Sequence, residues 1–165
     1  MDVTTVADDL AVLHDGTTVH RYDGLAADTE HDLDGTAVRT LPPPPGALRC
    51  RFATVNDVHF GETEAGRIDD LTDGPIRRSA PGADPYPEVM NRAAATEIAA
   101  IDPTAVIVKG DLSVDGRPEE WAAFESCYRD PFGDRLHVVR GNHDAYRHQA
   151  EYAGDQWIEL PGVVV

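Results

Sequence analysis

Lysine is nearly missing from this sequence: Lys109 is the single example among 14 Lys+Arg, set against 30 Asp+Glu. The formal net charge is 14 − 30 = −16. That deficit excludes a protein that coats nucleic acid or lies on an anionic membrane, because both need a basic face. A bound metal could supply the missing positive charge locally. Cysteine is also scarce. Cys50 and Cys127 stand alone, with no C-x-x-C, and read as two reduced, partly buried thiols. Long apolar runs are lacking too: none approaches the ~18 residues of a membrane span. The opening MDVTTVADDL has neither a basic n-region nor an apolar h-region. The expected location is therefore cytoplasmic, with no membrane partner. What remains is 41% hydrophobic, enough for a packed core in 165 residues.

Residues 1–45 read as a β-rich preface closed by a stiff linker. Residues 10–14 and 17–22 suit a hairpin turned at Asp15-Gly16, where Asp-Gly supplies a φ > 0 pair. A weaker strand is expected over 36–41. Pro42 to Pro45 lack backbone N–H groups and favour an extended connector. Between these, Glu30-His31-Asp32-Leu33-Asp34-Gly35 has the opening rhythm of a calcium loop. Its twelfth position is Leu41 rather than Glu, so it is expected to be a solvated acidic turn.

From residue 46 onward the periodicity changes. RFATVN (51–56), AVIV (105–108) and LHVV (136–139) suit short buried strands. The alanine-rich residues 88–101 suit a helix ended by Pro103, with Val89, Arg92, Ala93, Thr96, Ile98, Ala99 and Ala100 near helical spacing. A second helix is expected over 118–128, with Trp121 and Phe124 inward, and a short one over 145–152. Strands alternating with helices predict α/β organisation with a largely parallel sheet. Residues 61–87, rich in Gly, Pro and Asp, read as a substrate-side loop carrying Arg67, Arg77 and Arg78 toward phosphate.

Three polar clusters follow the three strands: Asp57-Val58-His59, Gly110-Asp111 and Gly141-Asn142-His143-Asp144. Ligands of open α/β sheets bind outside the carboxyl ends of the strands, so all three clusters are expected at one edge. If the strand geometry persists, Asp57 and His59 project the same way and offer one ion an oxygen and an imidazole. Asp111 has two oxygens and could bridge two ions, with Gly110 permitting close approach. Asn142 offers a neutral amide oxygen to a second ion. His143 is left to act on substrate, and Asp144 to hold its ring in one tautomer.

With these motifs the chain resembles the calcineurin-like metallophosphoesterase superfamily, over roughly residues 50–160. The resemblance implies a β-sandwich flanked by helices and a dinuclear centre of divalent ions (Mn, Fe or Zn). It implies metal-dependent hydrolysis of a phosphoester on a small phosphorylated substrate. By it Asp57 and His59 would bind the first metal, Asp111 would bridge, and Asn142 would bind the second. His143 would contact phosphate and protonate the leaving oxygen, oriented by Asp144. Gly110-Asp111-Leu112-Ser113-Val114-Asp115-Gly116 departs from the protein-phosphatase G-D-x-x-D-R-G and more closely resembles the small phosphodiesterase branch. The family's three later histidine ligands have no counterpart: the 165 − 144 = 21 residues after Asp144 hold only His148 and no G-H-x-H. His14, His20, His31 and His137 read as surface or packing histidines. Residues 46–165 are therefore expected to be the N-terminal portion of such a domain, weakly active or inactive alone. The alternative is a non-catalytic metal-binding or interaction module.

Overall fold

Two apolar cores organise the chain, one within Met1–Ala47 and one within Leu48–Val165. The computed structural model describes residues 1–66, 76–147 and 150–165.

The first unit is built from strands alone. β1 (Asp2–Val6), β2 (Leu10–Asp15) and β3 (Thr18–Asp23) form an antiparallel sheet with β2 in the middle. Ala11 and Leu13, two apart on β2, are both fully buried, as one face of a strand requires. The β2–β3 hairpin exists, but Asp15 pairs with Thr18, so Gly16-Thr17 forms the loop in place of Asp15-Gly16. β4 (Glu30–Leu33) and β5 (Thr36–Arg39) make a second hairpin. Here Asp34 (φ +52°) and Gly35 (φ +81°) supply the two left-handed turn residues that a tight two-residue loop needs. The expected solvated turn over 30–35 is thus corrected. Leu33 and Val38 fold inward onto Ala11 and Leu13, and that burial holds the acidic segment in a strand.

The second unit is mixed α/β. β6 (Phe52–Asn56) is followed by a small antiparallel pair, β7 (Glu64–Ala65) and β8 (Arg77–Arg78), then by α1 (Tyr86–Ile101). β9 (Ala105–Gly110) leads to α2 (Pro118–Phe124), which runs on as a π-helical turn at Glu125–Arg129. β10 (Leu136–Arg140) completes a three-stranded parallel sheet with β9 in its centre. A hairpin of β11 (Glu159–Leu160) and β12 (Val163–Val164) ends the chain. Val106, Val108, Leu136 and Val138 of the sheet pack with Ala95, Ile98, Trp121, Phe124 and Tyr128 of the helices.

α1 starts with Pro at its first turn and ends where Asp102 turns left-handed (φ +43°) just before Pro103. Its buried stripe is Asn91, Ala95 and Ile98; of the residues named at helical spacing Ile98 is buried, and Val89 is 47% exposed. The second helix widens before Pro131, which has no N–H to offer, and Asp130 N–H bonds Glu125 instead. The helix expected over 145–152 is reduced to a single 3-10 turn at His143–Ala145. Residues 148–149 lie outside the described residues, and Tyr152 has φ +55°, which no helix accommodates. Among the described residues no helix is long and apolar enough to cross a membrane.

Candidate metal centre

Because β6, β9 and β10 are parallel and in register, their carboxyl ends lie along one edge: Asn56 pairs with Lys109, and Gly110 with Arg140. The loops leaving β6 and β9 stay bonded to each other. Asp57 N–H donates to Lys109 O (3.1 Å), His59 N–H to Asp111 O (3.0 Å) and Phe60 N–H to Leu112 O (2.9 Å). Strand geometry does not persist through Asp57-Val58-His59. Asp57 (φ +48°) and His59 (φ +46°) are both left-handed, a backbone cost of about 1 kcal/mol each. These two turns, rather than the alternation of a strand, bring the donors together. One ligand atom each of Asp57, His59 and Asp111 lies within 4.8 Å of the others.

The carboxylates are seated on glycines. A Cβ on Gly110 would collide with Asp57 Oδ1, and one on Gly141 with the Asp111 carboxylate. Backbone donors fix the same groups: Asp111 N–H reaches Asp57 Oδ1 (3.3 Å) and His143 N–H reaches Asp111 Oδ1 (3.1 Å). Asp111 Oδ2 then lies 3.8 Å from both His59 Nε2 and His143 Nε2. Two carboxylate oxygens and an imidazole nitrogen at this separation, in a cradle a methyl group would fill, suit a divalent cation.

His143 and Asp144 take different places. His143 Nδ1 is 2.7 Å from Val114 O. A carbonyl only accepts, so Nδ1 carries the proton and Nε2 faces Asp111. Asp144 does not orient that ring, contrary to expectation; its carboxylate is fully buried and used elsewhere. It accepts from the N–H groups of Leu112 (3.1 Å), Ser113 (2.8 Å) and Gly141 (2.8 Å), and from Ser113 Oγ (2.7 Å). Asp144 therefore ties the loop after β9 to the loop after β10, and Val114 sets the His143 tautomer. Asn142 Nδ2 donates to Tyr146 OH at 3.0 Å.

Sequence reasoning missed the residues that brace this edge. Asn91 Nδ2 donates to Val58 O (2.9 Å), inside the Asp57–His59 turn, and Tyr128 OH donates to Asn91 Oδ1 (2.7 Å). Burial pushes the Tyr128 phenol well above its ordinary value near 10. Glu120, also buried, accepts from the N–H groups of Asp115 and Arg117, both at 3.0 Å. An Asn on the inward stripe of an alanine-rich helix was the available signal. Of the three arginines expected to face phosphate, Arg67 lies outside the described residues; Arg78 pairs with Glu64 (2.7 Å), and Arg77 is exposed. His148 also lies outside the described residues, and His31 Nε2 lies 2.9 Å from Ala26 O in the first unit. A pocket of about 360 Å³ opens beside Asp57 and His59, with Tyr86, Pro87 and Met90 of α1 along its wall.

The family model described as calcineurin-like phosphoesterase matches residues 50–162, more than half of the chain. No curated protein matches it.

Proposed function

The chain belongs to the calcineurin-like phosphoesterase family, and from that premise we propose that Asp57, His59 and Asp111 hold a divalent cation for phosphoester hydrolysis. The observation that carries the reading is the convergence of those three donors within 4.8 Å at one sheet edge. When bound, divalent ions supply Lewis-acid activation of a water and offset charge on the phosphoryl oxygens. The chain's own residues do the rest. Asp57 and His59 would hold one ion, Asp111 would serve both ions, and Asn142 would offer its amide oxygen to the second. His143 faces the substrate through Nε2. With Nδ1–H held by Val114, Nε2 is the atom that gains a proton and delivers it to the leaving oxygen. Asp144 keeps the two loops at fixed spacing, so the nitrogen and the Asp111 carboxylate do not drift apart.

The finer reading is a small phosphodiesterase-like enzyme acting in the cytoplasm on a small phosphorylated substrate. The pocket beside Asp57 and His59 supports room for a substituent on the phosphate. The three-stranded sheet would be one layer of a helix-flanked β-sandwich; the exposed Phe52 and Val139 on its outer strands support this. Residues 46–165 would carry the catalytic domain and 1–45 a separate β unit, which the two distinct cores support. Among the described residues, Asp111 and Asn142 are the groups proposed for the second ion.

Chromogenic phosphodiester and phosphomonoester assays with Mn²⁺ test the reading. Asp111→Ala is expected to lower turnover by about 10²-fold or more, since it removes the shared ligand. Normal turnover in that variant would overturn the proposal. Mn²⁺ uptake with no turnover of either ester would favour the non-catalytic metal-binding module instead.

A further inference from the structure

The peptide group between Val58 and His59 sits inside the turn that carries two proposed ligands, and it is held from both ends. Its N–H donates to Asp111 O (3.0 Å), and its carbonyl, Val58 O, accepts from Asn91 Nδ2 (2.9 Å). The first hold comes from the loop after β9, the second from α1. His59 is left-handed (φ +46°), a region that residues with a Cβ seldom occupy. A half-turn of this peptide would take His59 out of that region, so the two bonds oppose a relaxation the backbone favours.

The bonds on Asn91 can run in one direction only. Val58 O is a carbonyl and only accepts, so the amide group facing it is Nδ2. Oδ1 is then left toward Tyr128. It too only accepts, so the Tyr128 hydroxyl at 2.7 Å must donate. Turning the amide over would set oxygen against oxygen at Val58. Tyr128 is fully buried and Asn91 is 6% exposed. Asn91 also stands in the inward stripe that Ala95 and Ile98 fill with apolar groups, so packing alone does not explain an amide there.

We propose that Asn91 is a positioning residue for metal binding: its amide, oriented by the Tyr128 hydroxyl, locks the Val58–His59 peptide and so keeps His59 beside Asp57 and Asp111 before any ion arrives. The proposal rests on the reading of Asp57, His59 and Asp111 as metal ligands. It goes beyond bracing the fold, because it requires a loss of metal affinity that a loss of stability alone does not produce.

Asn91→Ala deletes the amide, while Ile98→Val thins the same stripe of α1 and leaves these hydrogen bonds in place. Amide exchange of the metal-free protein, followed by ¹⁵N-correlated NMR, compares His59 N–H with Val108 N–H of the central strand. In Asn91→Ala, His59 is expected to lose about ten-fold more protection than Val108; in Ile98→Val the two should change together. A calorimetric Mn²⁺ titration should show about ten-fold weaker binding in Asn91→Ala and less than about two-fold change in Ile98→Val. Tyr128→Phe keeps Asn91 but removes the donor that orients it. It should weaken Mn²⁺ binding by about three-fold, and by nothing further in the Asn91→Ala background. If Asn91→Ala does not fold, Tyr128→Phe against Ile98→Val carries the same comparison. Equal loss of affinity in Ile98→Val, His59 exchange in step with Val108, or an additive effect in the double variant would each overturn the proposal. If the unsubstituted protein takes up no Mn²⁺, this proposal and the proposed function fall together. If it binds Mn²⁺ and Asn91→Ala binds it equally, only this one falls.

Discussion

Gly141 has no side chain, and the space a side chain would take is filled by the Asp111 carboxylate. Adding one methyl group there must push aside either the acid or the backbone, and the acid is held by His143 N–H at 3.1 Å. Gly141→Ala is therefore expected to lower Mn²⁺ affinity by about 10–100-fold and to cost about 1–3 kcal/mol of stability. Gly82→Ala is the control. Gly82 has φ +81° but nothing within 4 Å of where its methyl would stand, so it should cost about 1 kcal/mol and leave Mn²⁺ affinity unchanged. Calorimetry and urea unfolding on the same preparations separate the two effects. At this scale the sequence was informative about identity and less so about partnership. A glycine before an acid pointed to close approach at Gly110, but not to Asp57 as the group approaching. Asp144 beside His143 suggested a pair. Two of the three backbone donors that claim Asp144 come from residues 112 and 113, brought near by the sheet.

At the scale of elements, α1 and the helix after it act as a brace behind the Asp57–His59 turn, through Tyr128, Asn91 and Val58 O. The buried phenol of Tyr128 gives this brace a pH signature. Its folded-state pKa is raised above the unfolded value near 10, so its contribution is complete below pH 10 and is lost as pH rises beyond. Tyr152, raised by burial and by its bond to Glu125, acts in the same direction. The urea midpoint is expected to fall above about pH 10. Tyr128→Phe should lower stability by about 1 kcal/mol at neutral pH and flatten part of that fall. An equally steep fall in the variant would refute the assignment. The helices and the three parallel strands were legible because apolar runs and alanine repeat at their own periods. β4 was hidden by its acidic residues, and only the burial of Leu33 against another hairpin makes it a strand. The buried stripe of α1 was only partly legible: Ile98 was among the residues at helical spacing, but Asn91 is one that no hydrophobic pattern would select.

For the whole molecule the dominant quantity is the charge of −16. A phosphoester approaching it is repelled at long range, and the repulsion is screened within about 10 Å at 0.1 M salt. KM for a dianionic monoester is expected to fall as NaCl rises from about 20 to 200 mM, more than for a monoanionic diester, with kcat unchanged. A rise in KM would show that a local cationic field outweighs the global one. The seating of carboxylates on glycines also bears on how such a chain can be inherited. Gly110 makes room for Asp57, and Gly141 for Asp111, so each motif is cut to fit the acid of the motif before it. The linked positions lie far apart in the chain: Asp57 and Asp111 are 54 residues apart, Asp111 and His143 are 32. Insertions between them can lengthen freely, but a motif grafted alone into another scaffold would arrive with a notch and nothing to fill it. Descent must hand on these contacts two at a time.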